Sequence, residues 1–344
     1  MPGMENLSPN VKRRRRKSDG KITEYFLKKK SSRRRKNALR NCRLINKAGT
    51  SQDEAEASTM KEDNIFFSSK ELVVLDHVGS GGFGKVFKVK TDEGRVYALK
   101  CLELEEDGSD IPEFLECKLQ RSISHDNIVK AFQSIQESPG RRCILMEYCS
   151  EGNLYDYMCS KSFRVTSRRS KKYVVNIIDG LVHLHTEMGY IHMDLKPENV
   201  LITSTDVAKI TDFGCVVKMA SFRNLMKDHN GGTTTYMPPE MLRKQGFDST
   251  VDVWDLGCIT FELYFEEHPF FPDLAKTNFE CTPEIQEAAL VKMDDACCGR
   301  LFQNRTKIPT LRLRAFLNSI LGKPREQRPL STELRNSIWL SQYN

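Results

Sequence analysis

An α+β architecture, with a small sheet lobe followed by a larger, mainly helical one, is predicted by three features of this sequence. Short runs rich in Val, Leu and aromatics, bounded by Gly, Asp and Glu, fall at residues 72–78, 86–89, 96–99 and 143–148 and read as strands. Beyond Gly152 the period changes, and Val174, Ile177, Ile178, Leu181 and His185 recur at the spacing of a helix with one apolar face. Residues 254–264 are apolar nearly all round, which suits a helix buried on every side. Strands first and helices afterwards argue for two separate lobes.

The strands and helices occupy only part of the chain. Of its 344 residues, 39% are hydrophobic, enough for a sizeable core. Residues 1–47 hold 17 Lys and Arg against Glu5, Asp19 and Glu24, a charge of +14, whereas the rest of the chain carries −7. With basic runs at 12–17 and 28–36 and no hydrophobic periodicity, this segment reads as a disordered basic tail. Residues 48–64 turn to Ser, Thr, Ala, Asp and Glu and read as a solvated linker, leaving 65–344 as the folded domain.

Eleven cysteines without regular spacing or an apolar leader argue against a secreted disulfide framework and for reduced thiols. No run approaches the ~20 apolar residues of a membrane span. A soluble protein of the nucleus, with the cytosol as the alternative, is expected.

Four groups of residues carry chemistry. Gly79, Ser80, Gly81, Gly82, Phe83 and Gly84 lie between two predicted strands, where side-chain-free backbone can bend over phosphates; alone, the pattern fits an ordinary hairpin equally well. Lys100 ends the 96–99 strand and would project its ammonium under that turn. Its expected partner is Glu116 in the predicted helix 112–123, or Glu113 one turn earlier, although composition alone would make either a solvated helix face. In the segment His192-Met193-Asp194-Leu195-Lys196-Pro197-Glu198-Asn199, a carboxylate, an ammonium and an amide oxygen stand at offsets that suit phosphoryl transfer. Asp212, after a short strand pattern at 208–211 and before Phe213-Gly214, offers a hard oxygen ligand for magnesium.

Taken in this order, and with Gly232-Thr233-Thr234-Thr235-Tyr236-Met237-Pro238-Pro239-Glu240, Asp252-Val253-Trp254-Asp255-Leu256-Gly257 and Arg328 further on, residues 70–340 resemble a eukaryotic protein kinase domain. The resemblance implies a bilobal fold, with an antiparallel sheet and one helix in the first lobe, and ATP and Mg2+ as cofactors. It implies a nucleotide site formed by Gly79 to Gly84, Val86, Ala98, Lys100, Met146, Glu147 and Cys149. Lys100 would pair with Glu116, Asp194 would position a substrate hydroxyl beside Lys196, and Asn199 and Asp212 would hold the metal. As scaffold residues, the resemblance implies, Glu240 and Arg328 would form a buried ion pair of the helical lobe and Asp252 would brace the catalytic loop. Lys196 and Thr233 resemble the serine/threonine branch, so protein serine or threonine hydroxyls are the expected acceptors.

Two positions depart from that pattern. Met193 stands where many relatives have an arginine that pairs with a phosphate on the activation segment, and a thioether cannot make that charge-assisted bond. Activity independent of such a phosphate is therefore expected. Pro238 replaces a usual alanine and should alter its loop only slightly.

The tail suggests partners of its own. Basic clusters within residues 12–36 resemble a bipartite signal for a nuclear import receptor, and their charge also suits nucleic-acid phosphates. Between them Ile22, Tyr25 and Phe26 resemble the box that plugs into the replication sliding clamp, with Asp19 where that motif usually has glutamine.

Overall fold

The computed structural model describes residues 20–21, 71–81, 84–103, 111–138, 141–160, 166–219, 232–271, 281–303 and 307–341. The chain divides into two compact units, residues 1–103 with 135–143, and residues 104–134 with 144–344.

The first unit is built on an antiparallel sheet. Strands β1 (Gly20–Lys21), β2 (Val73–Gly81), β3 (Gly84–Lys90) and β4 (Val96–Glu103) pair in succession. The sheet continues in the order β1-β2-β3-β4-β6-β5, with β5 at Ala131–Ser138 and β6 at Arg141–Glu147. Side chains alternate between faces along a strand, and in β3 Phe87 and Val89 are fully buried on one face. In β4, by contrast, residues 98–102 are buried without a break, because a central strand is covered on both faces. Burying Phe87, Val89 and Leu99 contributes roughly 1.5–3 kcal/mol each.

The sequence predicts strands at 72–78 and 86–89, but the observed strands run on into the glycine segment, with Gly79 opposite Val86 and Gly81 opposite Gly84. β5 had no counterpart in that reading, since its polar Gln133, Ser134, Gln136, Glu137 and Ser138 hide the β pattern. The pairing of Gly20 with Val74 and Lys21 with Val73 was also outside the expectation for the tail.

The second unit begins with α1 (Ile111–Ser122) and α2 (Leu154–Cys159). The long helix α3 (Ser167–His183) starts at Thr166, whose hydroxyl caps the N–H of Arg169, and ends in a π-turn at Leu184–Met188 closed by left-handed Gly189. Short strands β7 (Tyr190–Ile191) and β10 (Val217–Lys218) pair with each other, as do β8 (Val200–Ile202) and β9 (Ala208–Ile210). Then come α4 (Pro239–Leu242), α5 (Thr250–Phe265), α6 (Pro283–Asp295), α7 (Leu311–Ile320) and α8 (Ser331–Leu334).

Tyr173, Val174, Ile177, Ile178 and Leu181 of α3 share one core with Trp254, Leu256, Ile259 and Phe261 of α5 and with Leu313, Phe316 and Leu317 of α7. Residues 250–263 of α5 are all buried, as the apolar run predicts, yet the same stretch carries Asp252, Asp255 and Glu262. No helix among the described residues is long and apolar enough to cross a membrane.

Candidate active site

The turn between β7 and β8 brings three of the singled-out side chains together. The Asp194 carboxylate, 5% exposed, accepts from Lys196 Nζ at 2.9 Å, from Asn199 Nδ2 at 3.0 Å and from Thr233 Oγ1 at 2.6 Å. Thr233 Oγ1 in turn accepts from Lys196 Nζ at 2.5 Å, so carboxylate, hydroxyl and ammonium form a closed ring. Asn199 Nδ2 also donates to the Asp194 carbonyl at 2.7 Å. With its amide nitrogen engaged on both bonds, Asn199 keeps its amide oxygen as the group that can bind a cation. The position of Lys196 two residues after Asp194 is thus explained: it neutralises the carboxylate and orders Thr233.

The loop itself is held from α5. Asp252, fully buried, accepts the backbone N–H of His192 at 2.7 Å and that of Met193 at 2.9 Å. It is also bonded to His185 Nε2 at 2.8 Å, and His185 Nδ1 reaches Ser331 Oγ at 2.9 Å. Burial works against the Asp252 carboxylate, but the hydrogen bond and charge of His185 and the neighbouring His192 outweigh it and hold its pKa below the ordinary value. The His192 ring donates from Nε2 to the Thr211 carbonyl at 3.0 Å and packs edge-on against Phe213. Thr211 N–H returns a bond to the Asn199 carbonyl at 3.0 Å, which couples the segment carrying Asp212 to the one carrying Asn199.

Met193 and Asp212 both take left-handed backbone conformations, φ 70° and 68°. Each costs a non-glycine residue roughly 1–3 kcal/mol, a strain that persists where the surroundings enforce it. For Met193 the enforcing contacts are Asp252 on its N–H and an apolar cluster of Ile191, Cys215, Phe247 and Val251 around it. Gly232, φ 94°, passes directly over this point, and a Cβ there would lie 2.6 Å from the Met193 carbonyl oxygen. A glycine at 232 is what lets Thr233 approach Asp194.

Asn199 and Asp212 supply one amide oxygen and one carboxylate. That set suits Mg2+, which keeps several waters and takes its remaining ligands from substrate phosphates. No cluster of three or more His, Cys, Asp or Glu that could hold a metal exists among the described residues.

In the first unit, Lys100 is 6% exposed and lies opposite Val86 in the β3–β4 register, on the same face of β4 as Ala98. Gly84 has φ 132°, and a Cβ there would stand 2.3 Å from the Cys101 carbonyl oxygen, so only glycine fits. Gly82 and Phe83 lie outside the described residues, as do Ile22, Tyr25, Phe26 and the basic runs.

In the second unit Glu116, on α1, is 2% exposed, which excludes the solvated-face reading. Met146 is buried, with Gln120 Nε2 3.2 Å from its sulfur. Glu147 turns its carboxylate to Lys209 Nζ at 2.9 Å and to the Lys130 N–H at 2.7 Å. The Cys149 thiol is pushed up to about 12 by burial and by Glu147, so it stays protonated and serves packing. Arg328, fully buried, makes a two-pronged bond to Glu240 at 2.7 and 3.2 Å and stacks over Trp254.

His185 and Asp255 were not singled out for the site from sequence. His185 read as one more residue of an apolar helical stripe, and its distance of 67 residues from Asp252 hides the pairing. Asp255 did carry a signal, an acid three residues from another acid inside an otherwise apolar helix.

With this geometry in place, comparison with known proteins gives a consistent answer. The protein kinase domain family profile matches residues 72–340. An Aurora kinase of Yarrowia lipolytica is 34% identical over 208 residues, 59% of this chain and 54% of that protein. Cell division control protein 7 of Schizosaccharomyces pombe is 30% identical over 257 residues, 73% of this chain and 23% of that protein. Mitogen-activated protein kinase kinase kinase dlk-1 of Caenorhabditis elegans is 32% identical over 248 residues, 69% of this chain and 25% of that protein. The chain thus spans about half or less of the length of these relatives. By the extent of the family match and the order of its motifs, this chain belongs to the protein kinase domain family.

Proposed function

We propose that this chain transfers the γ-phosphate of ATP to serine or threonine hydroxyls of proteins. The observation that carries the reading is the ring of Asp194, Lys196 and Thr233 with Asn199 beside it. An acceptor hydroxyl placed at Asp194 would lose its proton to the carboxylate as its oxygen attacks the γ-phosphorus and the bond to the ADP oxygen breaks. Lys196 stands where it can offset the charge on the moving phosphoryl group. Bound Mg2+, held by Asn199 and Asp212, would neutralise phosphate oxygens. Lys100 and the glycine segment are the expected phosphate contacts of the first unit.

Phosphate incorporation into a protein substrate, compared between wild type, Asp194→Asn and Asp212→Asn, tests this. Loss in both variants is expected. Equal incorporation in all three rejects catalysis and leaves a scaffold that acts through its basic tail.

Met193 favours a second statement, that activity does not depend on a phosphorylated activation segment. Its side chain is buried among Ile191, Cys215, Phe247 and Val251 and presents no cation at that point. Phosphatase-treated protein should keep most of its kcat; a collapse of activity on dephosphorylation rejects the statement.

The tail extends the proposal to place and partner. Its +14 charge supports nuclear import, and Ile22, Tyr25 and Phe26 support docking to the replication sliding clamp. Exchange of Tyr25 and Phe26 for Ala should abolish clamp pull-down, and unchanged capture ends that idea.

A further inference from the structure

The start of α7 reverses the charge of the surrounding chain. Residues 296–325 hold seven Lys and Arg and no acid, within the part of the sequence that carries −7 overall. Arg300 and Arg325 are paired, with Asp295 and Asp248, but Lys307, Arg312 and Arg314 meet no carboxylate among the described residues. In the same place Leu311 is 83% and Ile308 78% exposed, more than any other large apolar residue described. Single exposed aliphatics are ordinary on a protein surface, whereas two of them three residues apart, among three cations without a counter-ion, mark a surface with a use.

The local structure holds these side chains outward. Lys307 Nζ donates to the Tyr264 carbonyl and lies 4.7 Å over the Tyr264 ring, while the Tyr264 hydroxyl donates to the Ile308 carbonyl at 3.4 Å. The segment before α7 is thereby tied to the end of α5. Thr310 then caps the Leu313 N–H at 3.3 Å. Leu313, Phe316, Leu317 and Ile320 are buried, so the helical period puts Leu311 and Ala315 on the opposite side, with Arg312 and Arg314 flanking them. The Cα atoms of Ile308 and Leu311 are at most about 11 Å apart, three backbone steps. Both arginines lie in the first turn of α7, where the helix dipole favours acids, and that turn contains none.

We propose that this face docks a partner protein through a segment that is both acidic and aliphatic. Its Asp or Glu side chains meet Lys307, Arg312 and Arg314, and its aliphatic side chains cover Ile308 and Leu311. The same carboxylates supply the negative charge that the first turn of α7 lacks. A nucleic-acid strand would use the cations but leave the aliphatic tips bare. The rings on which bases could stack, Tyr264 and Phe302, already lie beneath Lys307 and Arg314. A membrane surface fits less well, because two side chains bury little apolar area. None of these residues belongs to the site around Asp194, so the docking stands apart from phosphoryl transfer.

The probe is a synthetic peptide of Glu and Leu that carries a benzophenone. It is irradiated with the full-length protein at ~0.15 M ionic strength, and the attachment points are mapped by mass spectrometry. The basic tail attracts the same probe, so the place of attachment is what counts. Attachment within residues 307–315 is expected, falling on the order of 10-fold in Leu311→Ser and in Arg312→Glu, per folded protein as followed by thermal melting. Peptides with Gln for Glu, or Ser for Leu, should not attach there.

Attachment confined to the tail overturns the proposal. So does attachment at 307–315 that Leu311→Ser leaves unchanged, which would describe a plain polyanion site. Displacement of the peptide by a single-stranded oligonucleotide or by phosphatidylserine vesicles, at a lower concentration than unlabelled peptide requires, names a different occupant and overturns it too. Catalytic activity does not enter the measurement, so an inactive enzyme would reject the kinase reading and leave this test intact.

Discussion

Thr233 shows how a residue with no intrinsic catalytic power can matter at this site. Its hydroxyl proton goes to Asp194 Oδ1 at 2.6 Å while its lone pair takes Lys196 Nζ at 2.5 Å, so one oxygen sets the spacing of both charged groups. Thr233→Ala removes that spacer and should cost kcat on the order of 10- to 100-fold. Thr233→Ser keeps the hydroxyl and should retain most activity; equal losses in the two variants, measured by steady-state kinetics, would deny the hydroxyl a role. At this scale the sequence was informative where residues are close along the chain. Asp194, Lys196 and Asn199 lie within six positions, and their offsets alone suggested joint chemistry. Thr233 lies 39 residues from Asp194, and the family resemblance marks it only as a sign of the serine/threonine branch. His185 acts through the buried Asp252 carboxylate 67 residues away, a pairing that leaves no trace in local spacing.

Among the elements, α5 illustrates what periodicity reveals and what it hides. An apolar run correctly announced a helix buried all round, but the energetically costly positions are its acids. Glu262 accepts from the Tyr236 hydroxyl at 2.7 Å, and burial raises its pKa to about 8, with Glu198 adding to the rise and the Tyr236 bond opposing it. A raised folded-state value means that the group's contribution is full below the unfolded value of 4.5 and is lost as pH climbs through about 8. Over that window Glu262 alone should make wild-type stability fall by up to ~1.4 kcal/mol per pH unit. Glu262→Gln cannot ionise and should show a shallower fall, so the variant gains on the wild type between about pH 6 and about pH 8. Denaturant unfolding at the two pH values checks this, and parallel curves would reject it. β4 tells the complementary story. The sequence marks a strand only at 96–99 with Lys100 at its end, whereas burial runs unbroken through 98–102, and the extension of β2 and β3 through the glycines was not legible either. Glycine is a poor strand former on average, and here pairing with a neighbour overrides that preference.

At the scale of the whole molecule, the order of motifs identified the family, and through that resemblance, not through local spacing, came the long-range bonds that hold the second unit together. Arg328 comes 88 residues after Glu240, and the family resemblance, rather than anything in either neighbourhood, is what announces the pair. In the fold Arg328 is fully buried, donates to both Glu240 oxygens and to the Thr250 carbonyl at 3.1 Å, and lies 4.9 Å over the Trp254 ring. It therefore joins the C-terminal segment to the start of α5 and to α4, the helix that follows Thr233. Arg328→Met would leave the Glu240 carboxylate buried beside an apolar chain, and breaking such a pair costs ~3–5 kcal/mol. Replacing both partners, Arg328→Met with Glu240→Leu, removes the stranded charge and should recover a large part of that loss, because two desolvated charges gain little over well-packed apolar groups. Chemical denaturation of wild type, both single variants and the double variant resolves the coupling as a cycle. A single variant that loses less than about 1 kcal/mol, or a double variant whose loss is the sum of the singles, would show that the pair is not the tie described here.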